Sequence, residues 1–503
     1  MDSQTTKLYT ILVDAGVQHF ESEALTPTTN QQLLADLEEQ CSGVEFAVRD
    51  ASKPGMQLGA VVSELEAHKD DFDGVLIFGG LNDYRPLLTG LPTIAVHNFP
   101  EFSHLPYRLL EKRGGVLTAT CDRGNLCKPT KSAAMFDDLV VKIGLVDALA
   151  KMKRSRMLVI TDKPGVDVHH GDLDSTYPGD LRRKAPQEFN EIFREALSDC
   201  FGTEIIKIGT QEVASNERVR ETDEEQARGI AERWIRDAEE MRGTIEREVV
   251  NSASMYLAMK VLMDEHGANS IATHIRSLTT APNPEDMIWP SLGNSQLQLE
   301  GVVGCCQAHV NVVLTHMLAQ YAFGRPSMMG DFMVDAENGV GIVMHCGAPW
   351  NPWGGTKRVP YVIRDHAERA VQEHARPGVG ACSEVLFPAG EAATVWRIDV
   401  PTQSILVHTG ETVDGYSLYK DWTNIMCRSK LVVKLEDARR VRSHLYPDVY
   451  GVHRTGTLGD FREQIRQIGR LLRFQVIEED RHEVGATRNG AQSMGSAGND
   501  GSA

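Results

Sequence analysis

The 503-residue chain predicts an α/β protein: two Rossmann-like, doubly wound domains followed by a β-rich, barrel-like C-terminal domain. Three features carry that expectation. Short β-like runs alternate with helical segments over residues 1–153, and a second cycle of the same alternation opens at 154. From about 340 onward the helical segments give way to β-like runs separated by turns. The expected domains are therefore 1–153, 154–326 and 327–480. The polar, Gly/Ser-rich tail 481–503 predicts disorder.

The β-like runs of the first domain are LYTILVDAG (8–16), VEFAVRD (44–50), DGVLIFGG (73–80), PTIAVHN (92–98) and GVLTATC (115–121). Helical patterns such as NQQLLADLEEQ (30–40) and QLGAVVSELEAHK (57–69) separate them, which reads as a parallel sheet flanked by helices. RMLVITDKPG (156–165) opens the second cycle. EFNEIFREALSDC, TEIIKIG, two long helical stretches between 222 and 266, and SIATHI (270–275) follow. The third region supplies KRVPYVIRD, ATVWRIDV, QSILVHTGET and SKLVVKL, and then a helical stripe through Phe461, Ile465, Ile468 and Leu472.

Composition excludes several classes. A net charge of −18 disfavours a nucleic-acid partner, because no basic patch offsets phosphate repulsion. The N-terminus lacks the basic and apolar regions of a secretory signal, and no run approaches the roughly 18 apolar residues of a membrane span. The nine cysteines form no CxxC pair, and their odd number argues against a disulfide framework, so they read as reduced thiols of a cytoplasmic protein. GxGxxG and GxxxxGK[ST] are absent, which leaves dinucleotide and P-loop phosphate sites unsupported. The glycine turn FGGLNDY (78–84) and the acid- and histidine-rich DVHHGDLDSTYPGD (167–180) are secondary candidates for ligand contact or plain loops.

The candidate chemistry lies in 305–347. Val310, Val313, Leu314, Met317, Leu318 and Tyr321 form the apolar stripe of a helix, and Gly324-Arg325-Pro326 stops it. Gln307 falls near the helix entrance, where orphan N–H groups and the positive dipole end favour ligands. It reads either as part of a site or as a hydrogen-bonded core glutamine. Beyond the helix, DAENG (335–339) predicts a hairpin turn. A hairpin centred near Asn338 sets Asp331 opposite His345 on one face, which reads as a metal or acid/base site or as a structural pair. Trp289, Trp350 and Trp353 are either sugar platforms or core. His408 reads as a strand residue.

These motifs resemble the L-fucose isomerase/L-arabinose isomerase family. The elements are Cys306-Gln307-Ala308-His309, Gly324-Arg325-Pro326, Asp331, and His345-Cys346-Gly347. WPSLGNSQLQLEG (289–301) and YGVHRTGTLGDF (450–461), which places His453, extend the likeness. In that family a glutamate, an aspartate and a C-terminal histidine hold a divalent metal, usually manganese. By resemblance these positions fall on Gln307, Asp331 and His453. The family interconverts aldoses and ketoses through an enediol, with the metal polarising O1 and O2 while carboxylates move a proton between C2 and C1. The resemblance thus implies a Mn2+-dependent isomerase of an unphosphorylated sugar, assembled as a homo-oligomer, commonly a hexamer. Asp331, Gln307 and His345 would be its catalytic residues.

Gln307 and His309 depart from the family's Glu and Asp. Glutamine keeps an oxygen for the metal but removes a charge and a base, so metal binding weakens and the bound ion becomes a stronger Lewis acid. Three outcomes follow: isomerisation with Asp331 alone, aided by His309 or His345; related chemistry such as an epimerase or lyase step; or a sugar-binding, regulatory relative.

Overall fold

The computed structural model describes residues 5–13, 27–51, 57–79, 84–97, 110–120, 133–162, 186–214, 219, 221–274, 289–366, 380–424, 427–443, 445 and 451–481. The loop 167–180, most of the glycine turn 78–84 and the tail beyond 481 lie outside these residues.

The first sheet comprises β1 (Thr6–Leu12), β2 (Val44–Asp50), β3 (Gly74–Phe78), β4 (Thr93–His97) and β5 (Val116–Thr120), all parallel in the order β2-β1-β3-β4-β5. This is a doubly wound order. All five residues of β3, GVLIF, are buried, as a strand covered on both faces requires. The flanking helices include α1 (Pro27–Gln40), α2 (Leu58–His68) and α3 (Ala133–Lys153).

A second parallel sheet, ordered β10-β9-β6-β7, contains β6 (Arg156–Ile160), β7 (Glu204–Ile208), β9 (Ser270–Thr273) and β10 (Val303–Cys305). Helices α4 (Pro186–Cys200), α5 (Glu224–Asp237), α6 (Glu246–His266) and α7 (Ser291–Leu299) accompany it. Asp223 caps α5 by accepting from the N–H groups of Glu225 and Gln226, and Gly267, at φ 59°, closes α6. Strand β8 (Glu240–Arg242) has no apolar pattern and escaped the sequence reading. It pairs in parallel with β13 (Tyr361–Arg364), which also carries β14 (Cys382–Val385), and so ties the second region to the third.

The third region forms a seven-stranded sheet, ordered β17-β12-β11-β18-β15-β16-β19. Its strands are β11 (Met328–Asp335), β12 (Val340–His345), β15 (Ala392–Asp399), β16 (Ser404–Glu411), β17 (Ser429–Lys434), β18 (His453–Leu458) and β19 (Gln475–Glu478). The sheet curls until Thr412, just past β16, bridges Val433 of β17, and Val413 donates its N–H to the Val432 carbonyl at 3.0 Å. One bridge joins the two strands where a barrel would have a continuous ladder.

The β11–β12 hairpin corrects the expected register by one residue. Asp331 pairs with Met344, not with His345, which instead faces Ser429 of β17. The turn is centred between Glu337 and Asn338, anchored by the Asp335 carboxylate accepting from the N–H groups of Glu337 and Asn338. A one-residue shift changes which side chains share a face.

The three regions share their interior. One apolar cluster runs from Leu76 and Leu117 in the first sheet, through Met152 of α3 and Met317 of α8 (Val310–Phe323), to Trp396 of β15 and Ile468 of α9 (Arg462–Leu472). Buried ion pairs fasten the C-terminal elements. Glu479 is about fully enclosed and accepts from His408 Nδ1 at 3.0 Å and from Arg454 Nη2 at 3.2 Å. Burial raises its carboxyl pKa, but the Arg454 charge and the His408 hydrogen bond outweigh this and hold it below the ordinary value. Arg462 spans Glu478 at 2.8 Å and Asp480 at 2.5 Å, clamping α9 to the segment after β19. Replacing Glu479 by Gln leaves Arg454 buried without its counter-charge. Urea denaturation is expected to show a loss of about 3–5 kcal/mol, and a loss below about 1 kcal/mol, the level of an exposed pair, would show the pair to be dispensable.

Candidate functional site

The site forms where the second sheet hands over to the third. β10 ends at Cys305, and Cys306, Gln307 and Ala308 cross to His309, the residue before the first turn of α8. All residues of α8 from Val310 to Ala319 are buried, so the helix is enclosed on every side rather than along one stripe. Polar side chains fix its axial position. Asn311 donates to Asp399 Oδ1 at 3.0 Å and accepts from the Val400 N–H at 3.1 Å. One turn on, Thr315 accepts from the Ile398 N–H at 2.9 Å. Gly324, at φ 60°, ends the helix in the left-handed conformation that its sequence position predicts.

This anchoring holds the residues before α8 over β11, β12 and β18. Asp331 and His453 are register partners across β11 and β18, and His453 Nε2 lies 3.5 Å from Asp331 Oδ1. The His309 ring packs on His453 with centroids 4.1 Å apart, and His345 stands 6.0 Å from His453. Cys306 Sγ approaches His345 Nδ1 at 2.9 Å. Gln307 is therefore bracketed in sequence by one residue touching His345 and another touching His453. With successive Cα atoms about 3.8 Å apart, its backbone must pass between them. The four residues singled out from sequence, Gln307, Asp331, His345 and His453, thus share one neighbourhood. His345 reaches it from the end of β12 rather than across the hairpin from Asp331.

Exposure differs sharply within the group. The Asp331 side chain is 34% exposed, whereas that of His453 is 6% exposed. Gln307 is 8% exposed, and its Oε1 has no hydrogen-bond partner among the described residues. A buried carbonyl oxygen left unpaired costs about 1–3 kcal/mol, so this acceptor is suited to a cation or a hydroxyl. Among the described residues no three His, Cys, Asp or Glu side chains are grouped to hold a metal. Any ion here would rest on the Asp331 carboxylate, the His453 imidazole and the Gln307 amide oxygen. That mixed oxygen and nitrogen set suits a divalent cation with positions left open, as a catalytic ion needs.

Several contributors escaped the sequence reading. Glycine at 330 lets β11 approach β12, since a Cβ there would strike the Met344 carbonyl. Arg397, fully buried, donates to the His453 carbonyl at 3.2 Å and lies 3.7 Å from Asp399, joining the His453 backbone to the same aspartate that anchors Asn311. His316, on α8, is buried near His345, and burial pushes its pKa down to about 3. Trp350 proves to be core, stacked on Tyr361 at 4.5 Å and edge-on to Trp234. Trp289 stacks on His366 at 4.0 Å, while Trp353 lies under Lys357 at 3.5 Å. His408 belongs to the buried Glu479 cluster.

No family model matches the chain, and no curated protein does. Solved structures that match include a maltose operon transcriptional repressor malR from Staphylococcus areus, at 12% identity over 54% of this chain and 78% of that one, TM-score 0.17. A periplasmic solute binding protein of an ABC transporter from Actinobacillus succinogenes, with bound D-allose, matches at 12% identity over 63% and 92%, TM-score 0.17. A LacI family transcriptional regulator from Arthrobacter sp., in complex with lactose, matches at 13% identity over 60% and 96%, TM-score 0.16. Likenesses with TM-scores this low carry no argument about fold or function. Among the described residues no helix is long and apolar enough to cross a membrane.

The state of His316 sets a pH dependence of stability. Its folded pKa of about 3 lies below the ordinary 6.5, so between those values the unfolded chain binds a proton that the folded chain does not. Stability from this residue is present above 6.5 and falls as pH drops toward 3, by up to about 1.4 kcal/mol per pH unit. In His316→Asn, thermal melting between pH 7 and 4 is expected to show a shallower acid limb. An unchanged limb would place the acid sensitivity elsewhere.

Proposed function

We propose that the chain is a divalent-metal-dependent isomerase that interconverts an unphosphorylated aldose and its ketose. The observation that carries this reading is the gathering of the Gln307 amide, Asp331, His345 and His453 at one place, from four separate segments of the chain. The ligands would be Gln307 Oε1, the Asp331 carboxylate and His453, with manganese the expected ion. A bound ion of this kind polarises the adjacent hydroxyl and carbonyl oxygens of a sugar.

The chain's own residues would then divide the work. Asp331, the most exposed of the group, takes the proton from C2 and returns it at C1. His345, held at Nδ1 by Cys306, moves a proton at a sugar oxygen. His309 packs against the His453 ring and limits its rotation. Gln307 contributes an oxygen and no charge, so a single carboxylate balances the cation. Assembly into a homo-oligomer, a hexamer by resemblance, belongs to the same reading.

A second reading is favoured by the neutral side chain at 307. Without a second carboxylate at that position, the pocket would bind a sugar and serve a regulatory role, or run an epimerase or lyase step that needs one base.

The discriminating experiment incubates purified protein with manganese and a panel of pentoses, hexoses and deoxysugars in deuterated water. Isomerisation predicts deuterium at C1 or C2 of one sugar, and Asp331→Asn is expected to lower that exchange by about 10²–10⁴-fold, the range for a general base. Gln307→Glu is expected to bind manganese more tightly, measured by metal analysis after dialysis. Saturable sugar binding by calorimetry with no exchange supports the second reading, and neither binding nor exchange overturns both.

A further inference from the structure

At the opposite edge of the second sheet from the candidate site lies a cavity of about 270 Å³. The candidate site follows the carboxyl end of β10. This cavity is bounded instead by the segments that lead into β3, β4 and β7, through Asp73, Pro92 and Gly202. Three helices, α3, α4 and α9, end on it, at Lys153, Cys200 and Leu472. All three regions of the chain therefore supply part of its wall. Phe72, Leu91, Leu149, Phe201 and Leu472 form the apolar part. Burial, and after it the Asp199 charge, pushes the Cys200 thiol up to about 11, so the wall around Cys200 is poorly solvated.

Neighbouring bases are matched by carboxylates: Lys151 by Asp147 at 2.6 Å, Arg154 by Asp73 at 2.9 Å and Arg470 by Glu111 at 3.5 Å. Lys153 and Arg473, which line the cavity, differ. Neither side chain has an ion-pair or hydrogen-bond partner among the described residues, although acids outnumber bases by 70 to 52. The Asp199 carboxylate, in the same wall, is likewise without a partner among the described residues. The stems of both bases are nonetheless held by packing. A Cβ at Gly202 would lie 3.0 Å from Lys153 Cγ, and one at Gly114 would lie 2.6 Å from Arg473 Cγ, so bare backbone admits both. Arg473 takes φ 61° at a helix end where glycine is favoured.

We propose that this cavity binds a small zwitterion with an apolar body, the chemistry of a free aliphatic α-amino acid. Its carboxylate would be taken by Lys153 and Arg473 through charge-assisted hydrogen bonds. Its ammonium would face Asp199 and the ends of α3, α4 and α9, where the helix dipoles favour a positive group. Its aliphatic side chain would lie against Leu149, Phe201 and their apolar neighbours.

Charge and size select this class. A simple anion leaves Asp199 unmatched, and a simple cation leaves Lys153 and Arg473 unmatched, whereas a zwitterion answers all three. The volume lies just below the roughly 300 Å³ at which drug-sized sites begin, which suits a metabolite of few heavy atoms. A ligand held at once by elements of all three regions binds only the folded chain and so stabilises their packing. None of this rests on the proposed function.

The test titrates the full chain by calorimetry with L-leucine, with isocaproate, which lacks the ammonium, and with isoamylamine, which lacks the carboxylate. Saturable leucine binding is expected, with each singly charged analogue weaker by about tenfold or more, the effect of losing a hydrogen-bonded charge. That comparison needs no variant. Lys153→Met and Asp199→Asn, at exposed positions, should each weaken leucine binding by a similar factor, and Asp331→Asn should leave it unchanged. The proposal is overturned if leucine fails to bind at millimolar concentration, or if either analogue binds as tightly as leucine. Leucine affinity that is unaltered in Lys153→Met or in Asp199→Asn overturns it as well.

Discussion

The site depends on how α8 is held. A helix buried on all sides cannot settle its rotation or its height by apolar contact alone, because every face is about equally content in the interior. Asn311 and Thr315 supply the missing direction. Their side chains bond backbone and carboxylate groups at one end of β15, so the helix has one axial position. Buried polar groups of this kind tolerate only one arrangement, since any slip leaves a donor or acceptor unpaired. The residues just before the helix, Gln307 and His309 among them, inherit that position.

The same aspartate that receives Asn311 also lies beside Arg397, which bonds the His453 carbonyl. Helix α8 and strand β18 are thereby referenced to one buried group, although some 140 residues of chain lie between Gln307 and His453. This explains how a ring on β18 and a ring preceding α8 come to pack 4.1 Å apart. Deep burial admits an ionised group only where a partner stands against it. The imidazoles in the interior follow the same rule, with His316 driven toward its neutral form and His408 set against Glu479.

The three regions of the chain share one interior for a related reason. The expected division at 153 and 326 follows the strand pattern, yet the apolar cluster crosses both points. Met152, on α3, and Met317, on α8, bury against residues drawn from more than one sheet. Strand β8 adds a backbone link between the second and third regions. The site at their junction is therefore carried by a continuous core rather than by a hinge.

Much of the fold was legible in the sequence because it is written in local patterns. Strands buried on both faces show as unbroken apolar runs, as in GVLIF, and the end of α8 is marked by Gly324, which takes the left-handed conformation without penalty. Gln307, Asp331 and His345 could be singled out from their chemical types and spacing, and His453 through the resemblance of 450–461 to the isomerase family. Their arrangement was not legible. Hairpin register hung on a turn that closes half a residue from the expected centre, because the Asp335 carboxylate captures two N–H groups and fixes the turn there. A local pattern is set by each residue's own periodicity, so the chain alone determines it. The hairpin register and the pairing of Asp331 with His453 join residues from about a dozen to more than a hundred positions apart. Only the tertiary structure decides these, since they depend on how segments far apart in the chain pack against one another.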